Sequence, residues 1–277
     1  MSDWQFLGGM GIRDVGSPSL ANSWYNSCTT NASANIKGEW TELISAIAQR
    51  SSGLILQHPY ADAYDYLFDI GIGAAGQETA IINNLTGGGI GNDKFALGSI
   101  SIPLELPAGV RISLRGQSTT GNKNGAIGVM PIPGSFGCPY GFQNVTTYGA
   151  NTAGSGGTSI DPGASANTKG AWTEIVAATT VPCFGFFVGI GNQVNAGRTT
   201  GGNWWLMDVG IGAAGNEIAI LPNFCLAVSV AGERVRPIWT PFIPLSLPIG
   251  TRITIRAQCS INDTTDRKFD AVVYCFG

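Results

Sequence analysis

The residues that could do chemistry in this chain are few and recur in pairs. Gly71-Ile-Gly-Ala-Ala-Gly76 satisfies the G-x-G-x-x-G pattern, and Gly210–Gly215 repeats it. A dinucleotide site needs a helix directly after those glycines, so that the pyrophosphate meets a helix N-terminus. Here Gln77-Glu-Thr-Ala-Ile-Ile82 and its counterpart read as strands, which predicts a tight glycine turn between strands. Glu78 and Glu217 follow that turn and are expected to satisfy its backbone amides or an arginine. His58 is the only histidine. It rules out multi-His metal sites, and a catalytic triad would need Asp62, Asp65 or Asp69 plus a serine. Asp69 and Asp208, with Glu42 and Glu174, could be cast as glycosidase carboxylates. Carboxylates recurring beside arginines point instead to ion pairs that order strands and corners. The expectation is a protein with no catalytic residue, no cofactor and no metal, in which an enzyme reading ranks last.

The elements that must position these groups come in two copies. Ala32-Ser-Ala-Asn-Ile-Lys-Gly-Glu-Trp-Thr-Glu-Leu43 pairs with 164–175, Asp69–Ile82 with Asp208–Leu221, and Ile102-Pro-Leu-Glu-Leu-Pro-Ala-Gly-Val-Arg-Ile-Ser-Leu-Arg-Gly-Gln117 with 243–258; 29 of the 42 aligned positions are identical. The offset grows from 132 to 139 to 141, as insertions in loops would produce. A period this long means domain-sized units rather than solenoid repeats. The join lies in the Gly/Ser/Thr/Asn/Pro-rich stretch 134–161, which gives an N-terminal arm at 1–20, one domain at 21–145 and a second at 146–277.

Apolar and β-branched runs predict strands at 40–48, 53–58, 66–71, 78–85, 97–106, 110–117 and 126–132. The second copy gives 172–178, 183–190, 204–211, 217–221, 238–247, 251–259 and 270–276. No segment reads as a convincing amphipathic helix. Leu-Pro-x-Gly in the third block reads as a hairpin turn, and the alternation after it places Arg111 and Arg115 on one face with Ile112 and Leu114 on the other. The fold class is all-β: two tandem homologous β-sandwich domains, jelly-roll-like first and immunoglobulin-like second.

Hydrophobic residues make up 44% of the chain and charged residues 12%, with 40 glycines and a formal net charge of −3. So little charge leaves apolar surface to be buried against neighbouring subunits, which favours a homo-oligomer. Without a basic cluster, nucleic acid is not an expected partner, and without a membrane-length apolar run or a signal-like N-terminus neither is a membrane. The six cysteines lack C-x-x-C spacing and read as buried free thiols; Cys259 and Cys275 fall on strands that could lie side by side. Trp40 and Trp172 recur as anchors. Trp204 and Trp205 are an addition, standing where the first copy has Asp65 and Tyr66. One of that pair should point outward, where it could stack on a sugar ring or a neighbouring subunit. With Trp4, Phe6 and Leu7 of the arm, they form the candidate interaction surface.

The succession K-G-x-W-T-E, D-[IV]-G-I-G-A-A-G-x-E and I-P-L-x-L-P-x-G-x-R-I-x-x-R-x-Q resembles a group of tailed-bacteriophage virion proteins. That resemblance implies a particle component assembled in the bacterial cytoplasm, a decoration or cement protein on the capsid or a fibre. Its partners would be the major capsid protein or other virion proteins, with the arm packed on a neighbouring subunit or shell. The group brings no catalytic or ligand-binding residues. The rival reading is a tail or fibre module that binds a host glycan, with Trp204, Trp205, Tyr60 and Tyr64 as its aromatic platform.

Overall fold

The computed structural model describes residues 27–61, 64–88, 99–134, 142, 144–192, 203–228, 238–262 and 268–277. The N-terminal half contributes β1 (Ser27–Thr29), β2 (Thr41–Ile44), β3 (Ser51–Ala61), β4 (Asp65–Ile72), β5 (Thr79–Gly88), β6 (Ser99–Ile102), β7 (Ile112–Ser118) and β8 (Asn124–Pro133). The C-terminal half contributes β9 (Val145–Tyr148), β10 (Thr158–Ile160), β11 (Thr173–Val176), β12 (Gly185–Asn192), β13 (Asn203–Ile211), β14 (Ile218–Val228), β15 (Ile238–Trp239), β16 (Ile253–Cys259) and β17 (Phe269–Phe276). The described residues contain no helix.

These strands build four antiparallel sheets. In the first half they run β1-β8-β3-β6 and β2-β7-β4-β5; in the second, β10-β17-β12-β15 and β11-β16-β13-β14, with β9 also on β17. An order of 1-8-3-6 facing 2-7-4-5 is that of an eight-stranded jelly roll, and both halves have it. Period-two alternation fills each interior. Leu54, Leu56, Phe68, Ile70, Ile112, Leu114, Ile127 and Val129 are buried in one; Phe186, Val188, Met207, Val209, Ile253 and Ile255 are buried in the other.

The Leu-Pro-x-Gly segment is not a hairpin. β6 pairs with β3 in one sheet, whereas β7 pairs with β2 and β4 in the other. The turn therefore crosses between layers, with Gly109 at φ 80° and Gly250 at φ 83°. Pro103 and Pro107 carry no N–H, so 103–107 cannot sustain a ladder, and Leu104 and Leu106 keep only isolated bridges. The segment 40–48 likewise pairs only over Thr41–Ile44, and β14 runs past the expected residue 221 to Val228 by way of a bulge at Asn223.

The two jelly rolls share one boundary layer. β17 is buried along its whole length, and so are the described side chains of β12. Phe186, Val188, Ala271, Val273 and Cys275 face the second core. Phe187, Val272, Tyr274 and Phe276, with Trp239, enter the first. There they cap the edge strand β5. Thr86 N–H donates to the Tyr274 hydroxyl at 2.8 Å, and that hydroxyl donates to the Asn84 carbonyl at 2.7 Å. Trp239 Nε1 donates to the Thr86 carbonyl at 3.1 Å, and Thr147 Oγ1 to that of Asn83 at 2.7 Å. The Phe187 and Tyr274 rings stack 4.5 Å apart beside them.

At Gly189 the halves approach closely: a Cβ there would overlap Thr86 Oγ1 and lie 2.9 Å from the Tyr274 ring. Gly189→Ala is expected to cost about 1–3 kcal/mol in urea unfolding by forcing that contact open. Gly191→Ala, whose Cβ would meet only Asp270 Cβ at 3.9 Å, should cost far less.

Candidate functional site

The recurring charged residues converge on the sheet face opposite each core. Asp69 of β4 lies opposite Arg115 of β7, and its Oδ2 accepts from Arg115 Nε at 2.8 Å. Its Oδ1 accepts from Lys37 Nζ at 2.7 Å and from the Asn84 N–H at 2.8 Å. Lys37 also donates to the Leu67 carbonyl at 2.9 Å. The Arg115 guanidinium sits 4.4 Å above the Trp40 ring, and that ring covers Gly71, where a Cβ would come within 2.6 Å of it. At the end of the same sheet, Arg111 binds Glu42 at 2.8 Å and Glu78 at 2.6 Å.

The second jelly roll repeats this group by group. Asp208 accepts from Lys169 at 2.7 Å, Arg256 at 3.0 Å and the Asn223 N–H at 2.8 Å. Arg256 lies 4.3 Å over Trp172, whose ring covers Gly210. Arg252 binds Glu174 at 2.7 Å and Glu217 at 2.9 Å, and Glu217 Oε2 accepts the Gly215 N–H at 3.0 Å. The glycine motif is therefore a strand-to-strand turn closed by Gln77 N–H to the Ala74 carbonyl, and by Asn216 to Ala213 in the copy. Gly76 and Gly215 occupy the left-handed region at φ 80° and 83°.

The electrostatics suit a brace. Burial alone would raise the Asp208 carboxyl, but hydrogen bonds from Lys169, Asn223 and Arg256 outweigh it and leave the group below the usual carboxylate range. The hydrogen bond from Arg111 lowers Glu78, that from Arg252 lowers Glu217, and both arginines are raised in return. These acids stay ionised at neutral pH and hold no proton to donate. Lys37 and Asn84 were not singled out in the sequence as members of the brace. Each had a signal, since Lys37 and Lys169 sit within the first repeated block, and an asparagine follows the key aspartate by fifteen residues in both copies. Asn84 and Asn223 adopt φ 55° and 56°, a bulge conformation that asparagine tolerates.

Of the candidate surface aromatics, Trp204 is 59% exposed on β13. Trp205 is not part of that surface. Strand alternation turns it inward, where it is fully buried in the second core. Tyr64 packs against the first core with Lys123 Nζ 4.5 Å over its ring. Trp4, Phe6, Leu7, Asp62 and the side chains of His58 and Tyr60 lie outside the described residues. Among the described residues, no group of three or more His, Cys, Asp or Glu could hold a metal ion.

The described cysteines are free thiols; Cys28, Cys183, Cys259 and Cys275 are buried and Cys225 is exposed. Burial pushes the Cys28 thiol up to about 12. The Cys275 thiol neighbours that of Cys183, whereas Cys259 stands on β16, in a different sheet from β17. One acid is perturbed in the opposite direction from the brace. Burial, with the charge of Asp65 adding to it, raises Asp270 to about 7 against the hydrogen bond from Gly157 N–H at 2.8 Å.

No protein-family model matches the chain, and no curated protein matches it.

Removing one charge from a buried network strands its partners. Asp208→Asn is therefore expected to lower unfolding stability by about 3 kcal/mol, measured by chemical denaturation. The pH profile should carry both signs. Asp208, Glu78 and Glu217, being depressed, contribute stability above their unfolded values that disappears as pH falls through their folded ones. Asp270, being raised from 3.8 to about 7, withdraws stability as pH rises through that interval. Asp270→Asn should abolish the second slope and leave the acid limb intact, read from urea midpoints across pH.

Proposed function

We propose that this chain is a non-enzymatic structural subunit of a virus particle, decorating or cementing the outer surface of a bacteriophage capsid through subunit contacts. The observation that carries this reading is the fate of the recurring polar residues. Lys37, Glu42, Asp69, Glu78, Arg111 and Arg115, and their six counterparts, are engaged in ion pairs that brace strands, where a catalytic apparatus would need an acid or base with a proton to exchange. The motif order that resembles tailed-phage virion proteins supports the same reading, as does the low charge of a chain with apolar surface to cover. The expected partners are the major capsid protein and further copies of this chain.

Trp204 supports a second reading, a tail or fibre module that stacks the ring on a host surface glycan. The copy number per purified particle, measured by quantitative mass spectrometry against the major capsid protein, separates the two. Hundreds of copies in simple ratio to the shell protein are expected for a decoration protein. A handful to a few dozen would move it to tail or fibre, and none would end the virion reading. Loss of binding on a glycan array by Trp204→Ala would favour the fibre.

A further inference from the structure

One difference between the two jelly rolls lies at the edge strands β5 and β14. In the first, the end of the sandwich at β5 is closed by the outer face of the β12–β17 sheet, so that Ile82, Leu85 and Thr86 are buried. In the second, the same positions of β14 are Leu221, Phe224 and Cys225. The first two are only partly buried and Cys225 is exposed. Among the described residues, the C-terminal jelly roll thus has an open apolar end where the N-terminal one has a partner.

The fold contains a second copy of the kind of face that closes such an end. Ser51 and Cys183 make the same paired bonds, to Leu106 and Leu247, which puts Ile55 in the place of Phe187 and Gln57 in that of Gly189. The pairings Ile55↔Met130 and Phe187↔Tyr274 place Met130 at Tyr274, and Gly53↔Ile132 with Gly185↔Phe276 place Ile132 at Phe276. Ile55, Gln57, Met130 and Ile132 are all partly exposed. One chain therefore carries both an open end and an open face of the type that covers it.

We infer that a second copy of this chain docks head to tail, the outer face of its β3–β8 sheet covering β14 of the preceding copy. The inference rests on the reading of the chain as an assembly subunit and names its self-contact. Straight edge-to-edge pairing of β14 with another β14 is disfavoured by Pro222, which lacks an N–H, and by the bulge at Asn223. The intermolecular contact is weaker than its internal counterpart. Met130 offers no hydroxyl where Tyr274 does, and Gln57 fills the gap that Gly189 leaves open, although Gln57 and Ser99 supply side-chain donors for the β14 edge. Because the two surfaces are different, the association is heterologous and grows into a ring or a filament instead of stopping at a two-fold dimer.

Sedimentation of the full-length chain under reducing conditions tests this. The wild type should form concentration-dependent species larger than a dimer. Cys225→Glu and Met130→Glu, each changing a surface-accessible position, should each be monomeric, and their equimolar mixture should give a dimer and nothing larger, since one intact contact remains. A monomeric wild type, or a mixture that stays monomeric, would overturn the inference. Gln57→Cys provides a readout independent of those variants: with oxidised glutathione it should crosslink to Cys225 of the next copy into a ladder that Cys225→Ser abolishes, and a chain that stays uncrosslinked counts against the contact. Self-association failing in a protein abundant in particles would sink the contact and spare the virion reading; absence from particles with self-association intact would do the reverse.

Discussion

An edge strand leaves a row of backbone donors and acceptors without partners, and how β5 meets that requirement shapes the whole molecule. Its Thr86 N–H, Thr86 carbonyl, Asn84 carbonyl and Asn83 carbonyl are satisfied by Tyr274, Trp239 and Thr147, all from the other half. The side chains that make those bonds also carry apolar surface into the first core. A sheet that would otherwise have a wet outer face is thereby buried on both sides, and two jelly rolls become one body with a shared layer. Gly189 makes this possible by leaving room for Thr86 against the sheet.

Among the described residues, charge gathers where it braces that architecture. Each Asp–Arg pair links neighbouring strands across the outward face of a sheet, while a lysine and a bulge amide complete the aspartate's shell. The tryptophan above the arginine seats on a glycine and screens the group from water. Such a cluster stabilises because every member has a partner, and the same completeness commits these residues to holding the sheet. Exposed apolar surface lies elsewhere, at Trp204 and along β14.

Much of this was legible in the sequence because it depends on local periodicity and on repetition. Alternation in Arg-Ile-Ser-Leu-Arg fixed which residues of β7 face inward, and the recurrence of D-[IV]-G-I-G-A-A-G-x-E marked a turn and an acid needed twice. The same alternation required one of Trp204 and Trp205 to be inside, though nothing local said which. Leu-Pro-x-Gly announced a turn without saying which sheet the flanking strands join, because that choice belongs to partners far away in the chain.

By itself the sequence determined the all-β sandwich character, the strand faces and the recurring aspartates, glutamates and arginines of the brace, since each follows from spacing, turn chemistry and the cost of leaving a charge unpaired; the jelly-roll strand order came from the tertiary structure. Tertiary structure alone decided that β12 and β17 are buried on both faces, that Cys275 has Cys183 as its neighbour, and that β5 is covered while β14 is open. Those outcomes depend on which surface of one unit meets which end of the other. Two units nearly identical in their local pattern meet through different surfaces, so that among the described residues β5 is buried and β14 is not.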